Sequence, residues 1–363
     1  MGSIGAEVAT HELHTQSSTE DFLDYALQHS FGDIHFKVDP KTGMKTMIAI
    51  HNTKLGPALG GCRFIEYPDT AHAIEDALRL ARGMSFKAAS VNLPLGGGKS
   101  VIMMPKGEFD RAAYFHAFGR FVEELDGRYI TALDSGTLLS DMDIIGEHTR
   151  HVASLTQHNG DPSPFTSQGI FIGIKAALAF QRGSDNLQGL HIALHGLGHV
   201  GYAIARNLHA AGAHLTVSDI EPARVNEAVR EFGAVVASPE SIHRVACDVF
   251  SPCALGAIIN DDSIEELNTH IIAGAANNQL AHRYHGQALH DNKIIYAPDY
   301  IINAGGLIYA ASKYLHTSEA IVEQQIQGIG ASLTEIFKRS EKENKPSSEI
   351  ADRRAMEKLG IDQ

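Results

Sequence analysis

Long stretches of the chain repeat apolar residues every three or four positions, and short stretches between them are continuously apolar or β-branched. Residues 71–88 carry Ala73, Ala77, Leu80 and Met84 at helical spacing, and 112–125 forms a second amphipathic stretch. Thr19-Glu20-Asp21 has the composition of a helix start, with Phe22, Tyr25, Ala26 and Leu27 on the apolar side that follows. Two β-rich runs, 34–38 and 44–51, flank Asp39-Pro40-Lys41-Thr42-Gly43, which predicts a hairpin. Pro57-Ala58-Leu59-Gly60-Gly61 reads as a turn offering backbone N–H donors. Residues 91–104 are interrupted by glycine and end in a strand, 100–104. Another strand is expected at 129–133.

The breaker cluster Asn159-Gly160-Asp161-Pro162-Ser163-Pro164 suggests a domain boundary. Beyond it, 167–180 is helical and apolar on most faces. Strands and helices then alternate: 191–195, 200–210, 214–218 and 222–232, with short strand candidates at 234–236, 249–250, 271–273 and 294–296. That alternation predicts a parallel sheet with crossover helices. From Ser318 onward two helices are expected, split by Asn344-Lys345-Pro346, the second capped by Ser347 or Ser348. The fold class is therefore α/β in two domains, over 19–158 and 159–334, with 1–18 a disordered tail or tag remnant.

Composition narrows the function. The 363 residues suffice for two cores, and a formal net charge of -13 disfavours a nucleic-acid partner. No apolar run reaches the roughly 20 residues of a membrane span, and the N-terminus lacks a signal-peptide pattern. Three cysteines fit a reducing cytoplasm. The 21 histidines are scattered without HExxH or a Cys-x-x-Cys pair, so they read as surface and loop residues, and no metal is expected.

Strand 191–195 runs into Gly196-Leu-Gly198-His-Val-Gly201 and then a helix, the order of a dinucleotide-binding turn. Gly196 allows the tight turn, Gly198 the approach of a pyrophosphate, and Gly201 close helix–strand packing. The helix N-terminus faces the phosphates. The next strand ends at Asp219, where a carboxylate takes the ribose hydroxyls, and Ser218-Asp219-Ile220 has no adjacent arginine for a 2′-phosphate, which favours NAD. His199 reads as an exposed filler.

The first half holds Lys87, closing Gly83-Met84-Ser85-Phe86-Lys87, and Lys99, closing Leu95-Gly96-Gly97-Gly98-Lys99. A lysine held between glycines and an apolar strand loses hydration, so its pKa falls and it can act as a base. A second lysine nearby can hold a carboxylate. A phosphate loop is the weaker reading, since Leu93 stands where its first glycine would be. Asp134, just after strand 129–133, is equally a strand-end catalytic group or a turn residue by spacing alone.

Together LGPALGG (55–61), EDALRLARGMSFK (75–87), LGGGKSVI (95–102), the GLGHVG turn, SPCALGAIIN (251–260), AGAANNQL (273–280) and APDYIINAGG (297–306) resemble the glutamate/leucine/phenylalanine/valine dehydrogenase family, nearest its leucine branch. The resemblance implies oxidative deamination of an apolar L-amino acid to the 2-oxo acid and ammonia, with NAD as cofactor. It implies that Lys87 binds the substrate carboxylate, Lys99 activates water and Asp134 moves protons. It further implies substrate contacts from Leu59, Gly60, Gly61, Met84, Ala132, Asn277, Leu307 and Ala310. Cofactor contacts are implied for Gly196, Gly198, His199, Val200, Gly201, Asp219, Ile220, Cys253, Ala254, Ala276, Asn277 and Asn278. A substrate and oligomerisation domain completed by helices at 335–363, a cleft before the Rossmann domain, and a homo-oligomer, octameric or dimer-based, are also implied. Cys62 and Leu307 lean toward the phenylalanine branch, so phenylalanine or tryptophan is the alternative substrate. A dinucleotide-binding sensor without turnover is the alternative of a different class.

Overall fold

The computed structural model describes residues 22–158 and 160–361, so the expected helix start at Thr19–Asp21 and the tail before it lie outside the described residues. The first half contains α1 (Phe22–Gln28), β1 (Asp33–Asp39), β2 (Met44–Asn52), β3 (Ala58–Ile65), α2 (Thr70–Ser90), β4 (Gly96–Met103), α3 (Arg111–Glu124), β5 (Tyr129–Leu133) and α4 (Leu139–Gly146). The strands form one mixed sheet in the order β1-β2-β4-β3-β5. The expected hairpin is β1–β2, paired from Asp39–Met44 to Asp33–Ile50.

Two expectations change here. The supposed turn at Pro57–Gly61 is largely strand: β3 starts at Ala58 and lies between β4 and β5, parallel to both. The strand expected from Ser100 starts at Gly96, so the glycine run is itself sheet. These glycines serve close approach. A Cβ on Gly60 would lie 1.8 Å from the Gly98 carbonyl oxygen, and one on Gly97 would lie 2.0 Å from the Ser85 amide nitrogen of α2. Glycine-rich composition reads as a loop only when contacts across the sheet are unknown.

Helix α2 opens on the Asp69 side chain, which accepts from the His72 amide, a cap worth about 1 kcal/mol. It covers one face of the sheet, packing Ala73, Ala77, Leu78 and Ala81 against Met47, Ala49 and Val101. Helix α3 covers the other, setting Phe115 and Phe118 against Ile48, Ile50, Cys62 and Phe64. Strand alternation thus assigns Lys99 a side: it pairs with Ala49 and precedes Val101 by two, so it faces α2.

The second half runs α5 (Ser163–Arg182), β6 (His191–His195), α6 (His199–Ala210), β7 (His214–Ser218), α7 (Pro222–Phe232), β8 (Val235–Val236), β9 (Cys247–Pro252), α8 (Asp261–Ile264), β10 (Thr269–Ile272), α9 (Tyr284–Asp291), β11 (Ile295–Tyr296), α10 (Asp299–Ile302) and α11 (Gly305–Leu315). Its strands make a six-stranded sheet, β11-β10-β9-β6-β7-β8, parallel throughout. The order reverses between β6 and β9, so a crevice opens at the carboxyl ends of those strands. Ile192, Leu194, Leu215 and Val217 face one core, and Ala193, Phe250 and Ile272 the other. The helix expected from Ser167 starts at Ser163, with Pro164 in its first turn, where a missing N–H costs nothing.

Two helices close the chain, α12 (Glu319–Glu343) and α13 (Ser347–Leu359). Neither Ser347 nor Ser348 caps α13. Its N-cap is Pro346, and Ser347 Oγ donates instead to the Tyr296 carbonyl. The division expected at 334/335 falls inside the continuous helix α12. The α12–α13 pair grips the end of α2: Ser332 Oγ donates to the Ser90 carbonyl at 2.9 Å, and Lys358 Nζ to Ala89 O and Asn92 Oδ1 at 3.0 and 2.6 Å. That end of α2 carries Lys87.

Candidate active site

Three adjacent strands and one helix build the first part of the site. On β3, Cys62 and Phe64 point toward α3, so Leu59, Gly61 and Arg63 point the other way, the way Lys99 points from β4. Gly61 is the register partner of Ala132 on β5, two residues before Asp134. Lys99 and Asp134 form an ion pair through Nζ and Oδ2. Gly61 makes it possible: a Cβ there would lie 2.6 Å from Asp134 Oδ2 and 2.7 Å from Asp134 Cβ.

The carboxylate is held on its far side too. Asp134 Oδ1 accepts from the Ser135 amide at 2.6 Å and lies 3.8 Å from Arg63 Nη2. Thr137 Oγ1 takes the Asp134 amide proton at 3.0 Å and sits 3.2 Å from the Cys62 carbonyl, tying the turn to β3. Arg63 in turn donates to Asp76 Oδ2 of α2 at 2.7 Å, where the Tyr67 hydroxyl also donates at 2.7 Å. Arg63, Asp76 and Thr137 were missed in the sequence. The available signal was an arginine inside an otherwise apolar strand, ALGGCRFI.

Burial sets the protonation chemistry. Lys99 is 4% exposed, and loss of hydration, with the Arg63 guanidinium beside it, lowers its pKa from 10.5 to about 7. Lys87 lies on the facing helix, one turn after Met84. Burial lowers its pKa too, opposed by the Asp299 carboxylate. Among the described residues no carboxylate lies within ion-pair distance of the Lys87 ammonium, so that charge stays available to a bound anion. Cys62, fully buried behind Lys99, has its thiol pushed up to about 12 by burial and so stays neutral.

One apolar cluster joins both halves. Leu59, Ala132 and Leu307 belong to one apolar cluster that also contains Ala88 and Ile130 from the first half and Ala304 and Ile308 from the second. Leu307 and Ala310 lie one turn apart on α11 and are half-buried. Asn277 Oδ1 accepts from Asn303 Nδ2 at 2.8 Å, which orients the exposed Asn277 amide. Met84 is half-buried and Gly60 buried.

The expected cofactor residues collect at the carboxyl edge of the parallel sheet. Gly196 has φ +102°, and its Cβ would strike the Cys253–Ala254 peptide after β9. A Cβ on Gly201 would lie 2.0 Å from the Gly196 carbonyl oxygen. Gly198, at the N-cap of α6, faces open space, and no side chain caps that helix. Its first N–H groups are left for an anion. Asp219 Oδ2 accepts from the Leu197 amide at 2.6 Å, placing the carboxylate at the turn. The arginine absent beside Asp219 in sequence is present in space, since Arg224 Nη1 of α7 lies 3.6 Å from Asp219 Oδ1. The residues fit a dinucleotide: an open cradle over Gly198, uncapped amides and a carboxylate held at the turn. His199 and Ala254 are exposed, Ile220 is 89% exposed at the rim, and Val200 is half-buried in the first turn of α6. Ala276 is buried, and the exposed Asn278 holds φ +52° beside it.

Comparison with known proteins gives this geometry its setting. Residues 30–151 match the dimerisation-domain model of the Glu/Leu/Phe/Val dehydrogenases, and 220–359 match the glutamate/leucine/phenylalanine/valine dehydrogenase model. The chain is 44% identical over 340 residues to a leucine dehydrogenase of Thermoactinomyces intermedius, covering 93% of each. It is 43% identical to an L-tryptophan dehydrogenase of Nostoc punctiforme, over 87% of this chain and 90% of that one. A crystal structure of L-tryptophan dehydrogenase from Nostoc punctiforme superposes with TM-score 0.86 at 38% identity, covering 93% of this chain and 98% of that one. A Thermus thermophilus glutamate dehydrogenase, at 19% identity and TM-score 0.70 over 93% of each chain, shares the fold. The chain therefore belongs to the glutamate/leucine/phenylalanine/valine dehydrogenase family, NAD-dependent oxidoreductases acting on the CH–NH2 group of amino acids.

Proposed function

We propose that this chain oxidatively deaminates apolar L-amino acids, leucine and its branched-chain kin first, to the 2-oxo acid and ammonia, reversibly. The observation that carries this reading is the pair of the buried Lys99 and the half-buried Asp134, on a sheet face that also carries the apolar Leu59 and Ala132. Lys87 holds the substrate carboxylate, and the apolar wall receives the side chain. That wall offers no cation to a substrate side-chain carboxylate, which disfavours glutamate. Gly196, Gly198, Gly201 and Asp219 at the carboxyl edge of the parallel sheet would hold NAD, which would supply the acceptor for the hydride of the substrate α-carbon. Lys99, with its pKa near 7, is neutral in a large fraction of molecules at neutral pH and takes a proton from the water that attacks the resulting iminium carbon. Asp134 moves protons as the carbinolamine collapses and the amine leaves.

The test is NADH formation with a panel of apolar L-amino acids at alkaline pH. No reaction with any of them overturns the reading. A preference for phenylalanine or tryptophan moves only the substrate, and the resemblance to tryptophan dehydrogenase together with the small residues Ala132 and Ala310 supports that second choice. Lys99→Ala should abolish turnover and keep NADH binding. A wild type that binds NADH without ever reducing NAD would instead be a dinucleotide sensor.

The same reading divides the chain near 158–159 into a substrate domain and a cofactor domain, with the C-terminal α13 returning to the first. It makes the protein a cytoplasmic, dimer-based homo-oligomer, in support of which 30–151 matches a dimerisation-domain model and the edge strand β1 exposes Phe36 and Val38 at 50% and 62%. Light scattering gives the number of 39.2 kDa chains. No helix among the described residues is long and apolar enough to cross a membrane.

A further inference from the structure

The sequence contains no metal motif, yet the fold gathers three ligating side chains on the outer face of the substrate domain. His116 lies in the second turn of α3, and Glu147 and His148 follow directly after α4. His116 Nδ1 is 2.9 Å from His148 Nε2 and 3.7 Å from Glu147 Oε2, and one ligand atom from each of the three residues lies within 4.8 Å of the other two. The two imidazole rings stand at 82°, and the 2.9 Å contact between them is a hydrogen bond whose shared proton an arriving ion would replace.

We propose that His116, Glu147 and His148 bind a divalent transition-metal ion, Zn2+ foremost, which staples α4 to α3. Ligand bonds of about 2.0–2.1 Å in a tetrahedron put neighbouring ligand atoms about 3.3 Å apart. The observed 2.9 and 3.7 Å bracket that edge, so a shift of a few tenths of an ångström opens the histidine pair and closes the carboxylate. Two imidazoles and one carboxylate suit Zn2+, Ni2+, Co2+ or Cu2+ rather than the oxygen-seeking Mg2+ or Ca2+. The Glu147 side chain is 63% exposed, so a water completes the shell from the open side.

The backbone is built for this approach. Gly119, one turn after His116, lets the end of α4 come close: a Cβ there would lie 2.9 Å from the Ile145 carbonyl oxygen and 3.2 Å from His148 Cβ. At its other end α4 is already tied to α3, since Arg111 donates to both oxygens of the buried Asp141 at 2.9 and 2.7 Å and to the Gly136 carbonyl at 2.7 Å. The ion would supply the matching tie at the C-terminal end. Because α4 follows the Asp134–Thr137 turn, this staple stiffens the segment that carries Asp134 from outside, without touching the reacting atoms.

The experiment is titration of the chelator-stripped full-length protein with ZnCl2 by calorimetry, with CoCl2 absorbance as a second readout. The expected result is one more ion per wild-type chain than per His116→Ala chain, at least ten-fold weaker binding in Glu147→Gln, and the visible bands of a tetrahedral Co2+ complex in the wild type alone. Zn2+ should raise the wild-type Tm and leave that of His116→Ala unmoved, while both enzymes keep the same turnover, which also shows that the variant folds. Equal ion stoichiometry in wild type and His116→Ala, or no saturable binding to either, overturns the proposal.

Discussion

Replacing Gly61 with alanine tests how the site is assembled. The added methyl would lie 2.6 Å from Asp134 Oδ2 and 2.7 Å from Asp134 Cβ, where ordinary contact needs about 3.5 Å. Rotating the carboxylate alone does not relieve this, because the Cβ clashes as well. The whole residue must withdraw by nearly 1 Å, yet its amide is held by Thr137 Oγ1 and the next carbonyl by the Phe64 amide at 2.9 Å. The Lys99–Asp134 contact should therefore break. A misplacement of that size typically costs about 10²-fold in rate, and loss of the group's acid–base role about 10²–10⁴-fold. Gly61→Ala should thus lower kcat by about 10²-fold in an NADH-formation assay, with NADH affinity unchanged because the Rossmann sheet is untouched. A second signature follows from charge. Without its carboxylate partner the Lys99 ammonium is less favoured, so the acid limb of the pH–rate profile moves below pH 7. Wild-type kcat with an unmoved profile would refute the reasoning.

Other outcomes follow from the same geometry. In the wild type, activity should rise with pH through about 7, as Lys99 gives up its proton, and Arg63→Met should move that inflection to higher pH by removing a neighbouring positive charge. Lys87→Ala should raise KM for the amino acid far more than KM for NAD, as steady-state kinetics would show. Gly201→Ala sets a methyl 2.0 Å from the Gly196 carbonyl oxygen and should abolish NADH binding measured by fluorescence. Arg111→Ala leaves the Asp141 carboxylate, 2% exposed, without its guanidinium and should cost about 3 kcal/mol in urea unfolding.

Much of the second half is legible from pattern alone. The spans 191–195, 214–218 and 222–232 are observed as expected, because a parallel strand buried on both faces and its crossover helix differ sharply in period. The glycine turn and Asp219 are legible too, since the G-x-G-x-x-G spacing and the strand end that carries Asp219 lie close together in the chain. Strand β3 is not. Two adjacent glycines after Pro57 carry the composition of a turn, and only the neighbouring strand shows what they make room for. Helix α4, short and with the apolar Leu138 at its N-cap, left no signal either. Arg224 illustrates the same limit, lying five residues from Asp219 in sequence but beside it once α7 folds back.

By itself the sequence determined the two-part α/β plan, the dinucleotide turn, and lysines whose glycine and apolar neighbours promise low hydration. Those properties depend on residues close in the chain, where steric and hydrophobic demands repeat with a regular period. Tertiary structure alone decided that Lys99 meets Asp134, that Arg63 backs them both, and that His116, Glu147 and His148 converge. Each of those meetings joins groups on separate elements. Which groups meet depends on strand register and helix packing, and these follow from the burial of the whole core.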